Sequence, residues 1–416
     1  MAQLSDDCFA FGGALMSVDE AALLIAARVP AIAEEESVPL RAAAGRVLAR
    51  DLVAPLPLPP FFNAAVDGWA FRHADLNAAG DTRLVERGRV AAGQAASVTL
   101  GAGEAARVFT GAPMPPGSDS VVMQEDVRRD GEAILIPPGL KRGANARPAG
   151  EDVAQGSVAL EAGRRLGPAE IGLAAALGCA VIPVRPRVRV GVFSTGDELA
   201  EPGGVLGPAQ TFDSNRFTLM ALLARLPVEV FDLGILPDQA DATARALTQA
   251  ASSHDLLLTS GGVSTGEEDH VRAAIEQGGR LVFWRLAVKP GRPAAMGMVG
   301  GTPVVGLPGN PVAAVVTFVH LARPLVLRLA GARAEALLRV PAVADFNYRK
   351  KAGRREYVRV SLTAGDEAPV ARKFEREGAG LLTSLTQSDG FVELPEDVTA
   401  VARGDRVTVL PFAALF

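Results

Sequence analysis

The chain is sparing with the residues that most often carry chemistry alone. It has two cysteines, Cys8 and Cys179, far apart and outside any metal-ligand spacing, and four histidines. Such cysteines read as reduced thiols of a cytoplasmic protein, and the length makes disulfide staples unnecessary. So few histidines leave little scope for imidazole-based catalysis. No run of about 18 uninterrupted apolar residues occurs, which argues against a membrane span. The longest candidate, Ile171 to Val184, is interrupted by Gly178 and reads as a helix end running into a strand. The first residues, MAQLSDDCFA, are acidic where a secretory signal would be basic. A clustered basic face is also missing: the net charge is −5, with acids and bases interspersed. That distribution argues against a nucleic-acid partner. An anionic substrate would have to be held by local cations, because the global field does not attract it. Internal repeats and low-complexity tails are absent as well.

What is present is enough chain for two to four domains: 416 residues, 49% of them apolar. Ser17 and Glu20 form an S-x-x-E capping box ahead of Ala21, Leu23 and Leu24, which predicts a first helix. The stretch PLPLPPFF, Pro55 to Phe62, cannot be helical, because its prolines fix φ and remove amide donors. From about Leu84 to Ile136, short apolar runs alternate with Gly and Pro turns, as in a small β module. Pro168 to Leu177 reads as a helix with Pro near its first position and Gly178 at its end. After the seam PVRPRVRV, Pro183 to Val190, strands and helices alternate. VRVGVF, VEVFDLGIL, DLLLTS, LVFWRLAV and TPVVGL read as strands. Ser214–Leu226, Gln239–Ser252, GEEDHVRAAIEQ and Pro311–Leu329 read as helices. This alternation predicts a parallel sheet covered on both faces. The C-terminal residues return to short strands.

Polar and glycine-rich segments follow these strands, and ligands of such sheets sit beyond the carboxyl ends of the strands. The segments are STGDEL, Pro237-Asp238, GGVSTGEED, KPGRP and PGNP. Gly261, Gly262 and Gly266 let backbone amides turn around an anion, and Lys289 adds a compact positive charge. Asp197, Glu198, Asp238 and Asp269 would repel a phosphate unless a cation intervened, and Mg²⁺ uses this combination of carboxylates and phosphate oxygens. Two other patterns are set aside. GAGEAA, Gly101 to Ala106, opens no helix and reads as a hairpin turn, not a dinucleotide fingerprint. GVSTG, Gly262 to Gly266, resembles a nucleophile elbow, but the acids and histidines that follow it do not supply a triad in the required order.

At these segments the sequence resembles the molybdopterin molybdenumtransferase family, which includes MoeA and the E domain of gephyrin. The motifs that carry the resemblance are NAAVDGWA, FTGAPMPPGSDSVVMQED, ARPAGEDV, STGDEL, FDSNR, TSGGVSTGEEDH, WRLAVKPGRP and GLPGNPVA. GRREYVR and GAGLLTSLTQSDGFVELP extend it into the C-terminal region. The resemblance implies a multidomain α/β plus β fold. Its parts are a central three-layer α/β domain (MogA-like) at 186–337 and an elongated N-terminal region at 1–59 joined by 142–185. A β insertion spans 60–141, and a C-terminal β-barrel spans 338–416. It implies insertion of molybdate into adenylylated molybdopterin with Mg²⁺-dependent release of AMP, by a homodimer working beside other molybdenum cofactor enzymes. The catalytic positions fall on Asp67, Thr110, Glu198, Asp238, Asp269 and Lys289, with Asp238 and Asp269 as the Mg²⁺ ligands. The substrate-binding positions fall on Arg285, Gly261, Gly262, Ser264, Pro308, Gly309, Asn310, Arg359 and Ser384, with Arg355 and Thr383 as alternative registers for the last two. Ala64 departs from the family, which often has Ser there. Two other readings stay open: an adenylyltransferase acting one step earlier, and a gephyrin-like scaffold without activity.

Overall fold

The protein is described by a computed structural model, which covers residues 15–236, 239–262, 270–283 and 285–416. Val188–Thr195 is buried at every position except Arg189, so it needs neighbours on both edges and cover on both faces. It pairs in parallel with Val228–Leu236 on one side and Leu256–Ser260 on the other, and the latter pairs in parallel with Thr302–Leu307. Side-chain alternation sends Val190, Val192, Leu256, Leu258 and Val305 to one face, under Leu219, Leu223, Val312 and Val316 of two helices. Phe193, Leu257 and Val304 go to the other face, under Leu247, Ala251, Val271 and Ile275. The result is a three-layer α/β unit.

The structure corrects three expectations for this unit. Its sheet is mixed, because Ala295–Val299 runs antiparallel to Thr302–Leu307 and to Gly279–Phe283. Gly300 and Gly301, with φ of +56° and +90°, make the two-residue hairpin that reverses the chain there. The run LVFWRLAV is not one strand. Gly279–Phe283 stays on the α/β sheet, whereas Val288–Lys289 pairs in parallel with Arg355–Glu356 of the C-terminal sheet. Between them Ala287 donates its N–H to the Met16 carbonyl and accepts from Arg355, so its backbone groups are used elsewhere. The long helix is also interrupted: α-helical Pro311–Thr317 and Arg323–Leu329 flank a π-helical turn, Phe318–Ala322. Pro324 has no amide to give the carbonyl four residues earlier, which removes the α-helical bond at this point. The stretch Pro311–Leu329 is long and apolar enough to cross a membrane, but 89% of it is buried inside the molecule, as befits a core helix.

Five strands, Val340–Ala344, Arg355–Thr363, Val370–Lys373, Gly390–Leu394 and Arg406–Pro411, close into a barrel through the pairing of Arg355–Thr363 with Gly390–Leu394. Val358, Val360, Val392 and Val409 fill it. Tyr357, Phe391, Leu410 and Phe412 pack instead with Phe318 and Leu325, so barrel and α/β unit share a core. The β module is a six-stranded sheet holding Gly68–Phe71, Thr82–Val90 and Glu104–Val108 among its strands. Gly68 is obligatory there, since a Cβ would lie 1.8 Å from the Val122 carbonyl oxygen. The GAGEAA segment opens no helix, but it is not a hairpin either, because Val98–Leu100 before it forms no strand; it is a turn that leads into Glu104–Val108. Earlier segments pair with later ones: Glu36–Pro39 with Val181–Val184, and Leu52–Val53 with Val158–Leu160. The capping box is formed, Ser17 accepting from the Glu20 amide and Glu20 from the Ser17 amide.

Candidate functional site

Three neighbouring parallel strands end together, and their last residues build the floor of the site. Gly261 and Gly262 have φ of +94° and +64°, conformations that L side chains rarely adopt. A Cβ on Gly261 would lie 2.8 Å from the Thr195 carbonyl oxygen, and one on Gly262 would lie 2.6 Å from Val271. Only glycine fits this approach of two strand ends. Asn215, at the start of a helix, donates to Ser260 Oγ at 2.8 Å and to the Gly309 carbonyl at 2.7 Å, so one amide ties the glycine turn to the PGNP turn. Among the described residues, the Ser194, Thr195 and Thr259 hydroxyls and Asn215 Oδ1 are buried without a hydrogen-bond partner. Buried polar atoms rarely stay so. These strand ends therefore keep polar capacity for a ligand.

The barrel supplies the wall. The Val312 amide donates to the Ala379 carbonyl at 3.0 Å, which fixes the GAGLLTS loop against Pro308–Pro311. Arg359 donates to the Gly378 carbonyl at 2.7 Å and to Ser384 Oγ at 2.8 Å. Burial holds the Arg359 guanidinium below its ordinary pKa. Arg355, the alternative register, is engaged by Asp19, Glu393 and Glu396.

Lys289 is held by the C-terminal unit. Its Nζ lies 3.2 Å from Glu356 Oε2 and 3.3 Å from the Tyr348 hydroxyl, which itself donates to Glu356 Oε2 at 2.8 Å. The Glu356 side chain is 1% exposed and that of Lys289 49%. Partial burial pulls the lysine down, but the phenol and the carboxylate outweigh it, so its pKa stands above the ordinary value. Tyr348 is pushed up by burial and by Glu356, so it is a neutral phenol at pH 7. Lys373 Nζ lies 5.2 Å from the same ring. The exposed Glu377 carboxyl is held below its usual range first by its bond to Lys373, with Lys289 and Arg359 adding to the pull. Three cations therefore converge on one patch of rim.

The other predicted residues stand as follows. Asp67 and Thr110 meet each other in the β module, with the Thr110 amide and hydroxyl each 2.8 Å from Asp67 Oδ1. Their module has its own cores, distinct from that of the α/β unit. Glu198 is exposed in the turn after its strand, where its carbonyl accepts from the Thr211 amide. Arg285 is exposed, and its carbonyl accepts from the Met16 amide. Asp238, Ser264 and Asp269 lie outside the described residues. Among the described residues no group of three or more acids, histidines or cysteines could hold a metal ion. Cavities of about 420 and 400 Å³ exist elsewhere, one lined by Arg46 and Arg189 and the other by Arg406, and neither includes a rim residue. Sequence reasoning passed over Asn215, Tyr348 and Glu356 as site residues. A signal existed for Glu356: it shares the interior phase of Val358 and Val360, where an acid needs a partner.

Comparison with known proteins agrees along the whole chain. Residues 16–178 match the family model "MoeA N-terminal region (domain I and II)", residues 191–328 "Probable molybdopterin binding domain", and residues 332–412 "MoeA C-terminal region (domain IV)". The chain is 37% identical to the molybdopterin molybdenumtransferase of Haemophilus influenzae, covering 96% of this chain and 99% of that one. It is 37% identical to molybdopterin molybdenumtransferase 2 of Mycobacterium tuberculosis, covering 90% and 94%. The crystal structure of the molybdopterin biosynthesis moeA protein of Pyrococcus horikoshii OT3 superposes with a TM-score of 0.81 at 31% identity, covering 95% and 99%.

Proposed function

The chain belongs to the molybdopterin molybdenumtransferase family, transferases of molybdenum cofactor biosynthesis, and on that premise we propose that it inserts molybdate into adenylylated molybdopterin and releases AMP. The observation that carries this reading is the convergence of Lys289, Arg359 and Lys373 around Glu377, on a wall that the Val312–Ala379 hydrogen bond ties to the PGNP turn next to Gly261. An acidic protein needs such a local cluster to hold an anion. The glycine turn and the cations bind the phosphates, and the unpartnered hydroxyls of the strand ends take the polar edge of the pterin. Mg²⁺, when bound, neutralises charge on the phosphoanhydride. Asp238 and Asp269 are its proposed ligands, and Glu198, exposed like its neighbour Asp197, is a further acid of the strand ends. Molybdate, the second anion, belongs at Arg359 and Ser384, with Lys289 acting on the same Glu377 as Arg359. Because barrel residues complete this cluster, the reading is favoured over a single-domain adenylyltransferase. The same reading makes the protein a cytoplasmic homodimer in which Asp67 and Thr110 approach the rim from the other protomer, passing product to other molybdenum cofactor enzymes.

Retention of substrate tests the assignment. Protein incubated with adenylylated molybdopterin, freed of excess and then denatured should release an AMP-linked pterin in about a one-to-one ratio to chain, as a tight single site requires. Retention should fall with added salt, as screening weakens the cation cluster. Protein that retains neither pterin nor nucleotide contradicts the assignment.

A further inference from the structure

A lysine on a solvent-facing turn samples many rotamers, and ordering it has an entropic cost. Lys289 is not left to do so. Val288–Lys289 departs from the α/β unit to pair with Arg355–Glu356, which brings Lys289 opposite Glu356 across two parallel strands. Glu356 is an unusual residue for its position, an acid with a 1% exposed side chain on the interior phase of a barrel strand. Burying it is costly unless it is paired and hydrogen-bonded. Its Oε1 accepts from Arg354 at 3.3 Å, while Oε2 accepts from Tyr348 and Lys289. The lysine gives one side of its ammonium to this pair and keeps the rest of a half-exposed head for the rim.

We propose that Glu356 and Tyr348 are positioning residues: the barrel holds the Lys289 ammonium at the substrate anion through these two side chains. The proposal rests on Lys289 meeting substrate in the function given above. It gives the C-terminal barrel a task in the reaction beyond packing. A lone buried salt bridge would serve cohesion equally well with its lysine turned fully inward. Here the lysine head is half exposed, and beyond the clamp it is one of three cations set against a single exposed acid: Lys373 shares the Tyr348 ring and pairs with Glu377, and Arg359 and Lys289 both act on that same Glu377. Like charges held together without function repel, so the clamp holds Lys289 against that repulsion in a place where an incoming anion relieves it.

The test is a coupling measurement on the full-length protein, read as AMP release from adenylylated molybdopterin in the presence of molybdate. Glu356→Gln keeps size and can still accept a hydrogen bond, and Tyr348→Phe removes only the hydroxyl. Each should raise KM on the order of tenfold, within the range for side chains of one network, and leave kcat nearly unchanged. In a Lys289→Ala background the same changes should alter KM by less than about twofold, because the residue they act through is gone. Thermal unfolding run in parallel shows that both variants fold, and if Glu356→Gln does not, Tyr348→Phe carries the test alone. Equal losses with and without Lys289 overturn the proposal in favour of a structural role. Activity impaired in Lys289→Ala but normal in Glu356→Gln and Tyr348→Phe overturns it while leaving the function standing. Normal activity in Lys289→Ala overturns both.

Discussion

Asp67 receives two hydrogen bonds on one oxygen, from the Thr110 amide and the Thr110 hydroxyl. Both favour the charged form, the amide most, so the carboxyl is held below its ordinary range. A depressed carboxylate contributes to folding above its unfolded value and loses that contribution as pH falls through the lowered value. The Asp67–Thr110 contact is therefore intact at neutral pH and is lost only in acid below the ordinary carboxylate range. Thr110→Val deletes the hydroxyl donor and keeps the amide. A carbon-detected NMR titration should find the Asp67 carboxyl moved up yet still below its ordinary value, whereas an unmoved carboxyl would show that the hydroxyl contributes nothing. At this scale the sequence is a partial guide. Motifs pointed to Asp67, Thr110, Lys289, Arg359 and Ser384, and the structure brings Asp67 to Thr110 and Arg359 to Ser384. Glu356 and Tyr348 were not legible as partners of Lys289, because they reach it across 67 and 59 residues of chain, Glu356 through a strand pairing and Tyr348 from a separate strand. Asn215 sits in the quoted FDSNR motif, but its bond to Gly309 exists only once the sheet has formed.

Among elements, the π-helical turn Phe318–Ala322 has the clearest energetic consequence. It carries His320, which stacks on Tyr357 with ring centroids 4.5 Å apart. Burial, with Arg355 and Arg339 nearby, pushes its pKa down to about 3. The native state therefore keeps His320 neutral where the unfolded chain protonates it, between about 6.5 and 3. In that window the unfolded state binds more protons, so stability falls as pH falls, and above it this residue has no effect. His320→Phe keeps the ring and removes the titration. The wild type should lose stability relative to the variant by about 1.4 kcal/mol per pH unit between pH 6 and 4 in denaturant unfolding, with no relative change from pH 7 to 8. A constant difference across pH 4 to 8 would show that His320 titrates normally. Elements were the most legible level of the fold. The capping box, the proline-blocked linker and the strand–helix alternation each rest on local physics. The antiparallel edge and the split of LVFWRLAV were hidden, because both depend on which distant backbone groups claim the chain.

For the molecule as a whole, the barrel and the α/β unit share one core, and the rim they build holds local positive charge on a chain of net charge −5. The β module with Asp67 and Thr110 keeps separate cores. In the proposed homodimer its residues would approach the rim from the other protomer, once at each of two sites. The central claim is thus one molybdate-dependent, AMP-releasing site made from more than one module. Mixing Asp67→Asn with Asp269→Asn protein under conditions of subunit exchange, and measuring AMP release from adenylylated molybdopterin with and without molybdate, tests it most directly. The account predicts that each variant alone is nearly silent. The mixture should recover toward about a quarter of wild-type release, the share expected when half the dimers hold one intact site, and only when molybdate is present. Heterodimers that form and stay silent, or release that is indifferent to molybdate, would contradict it.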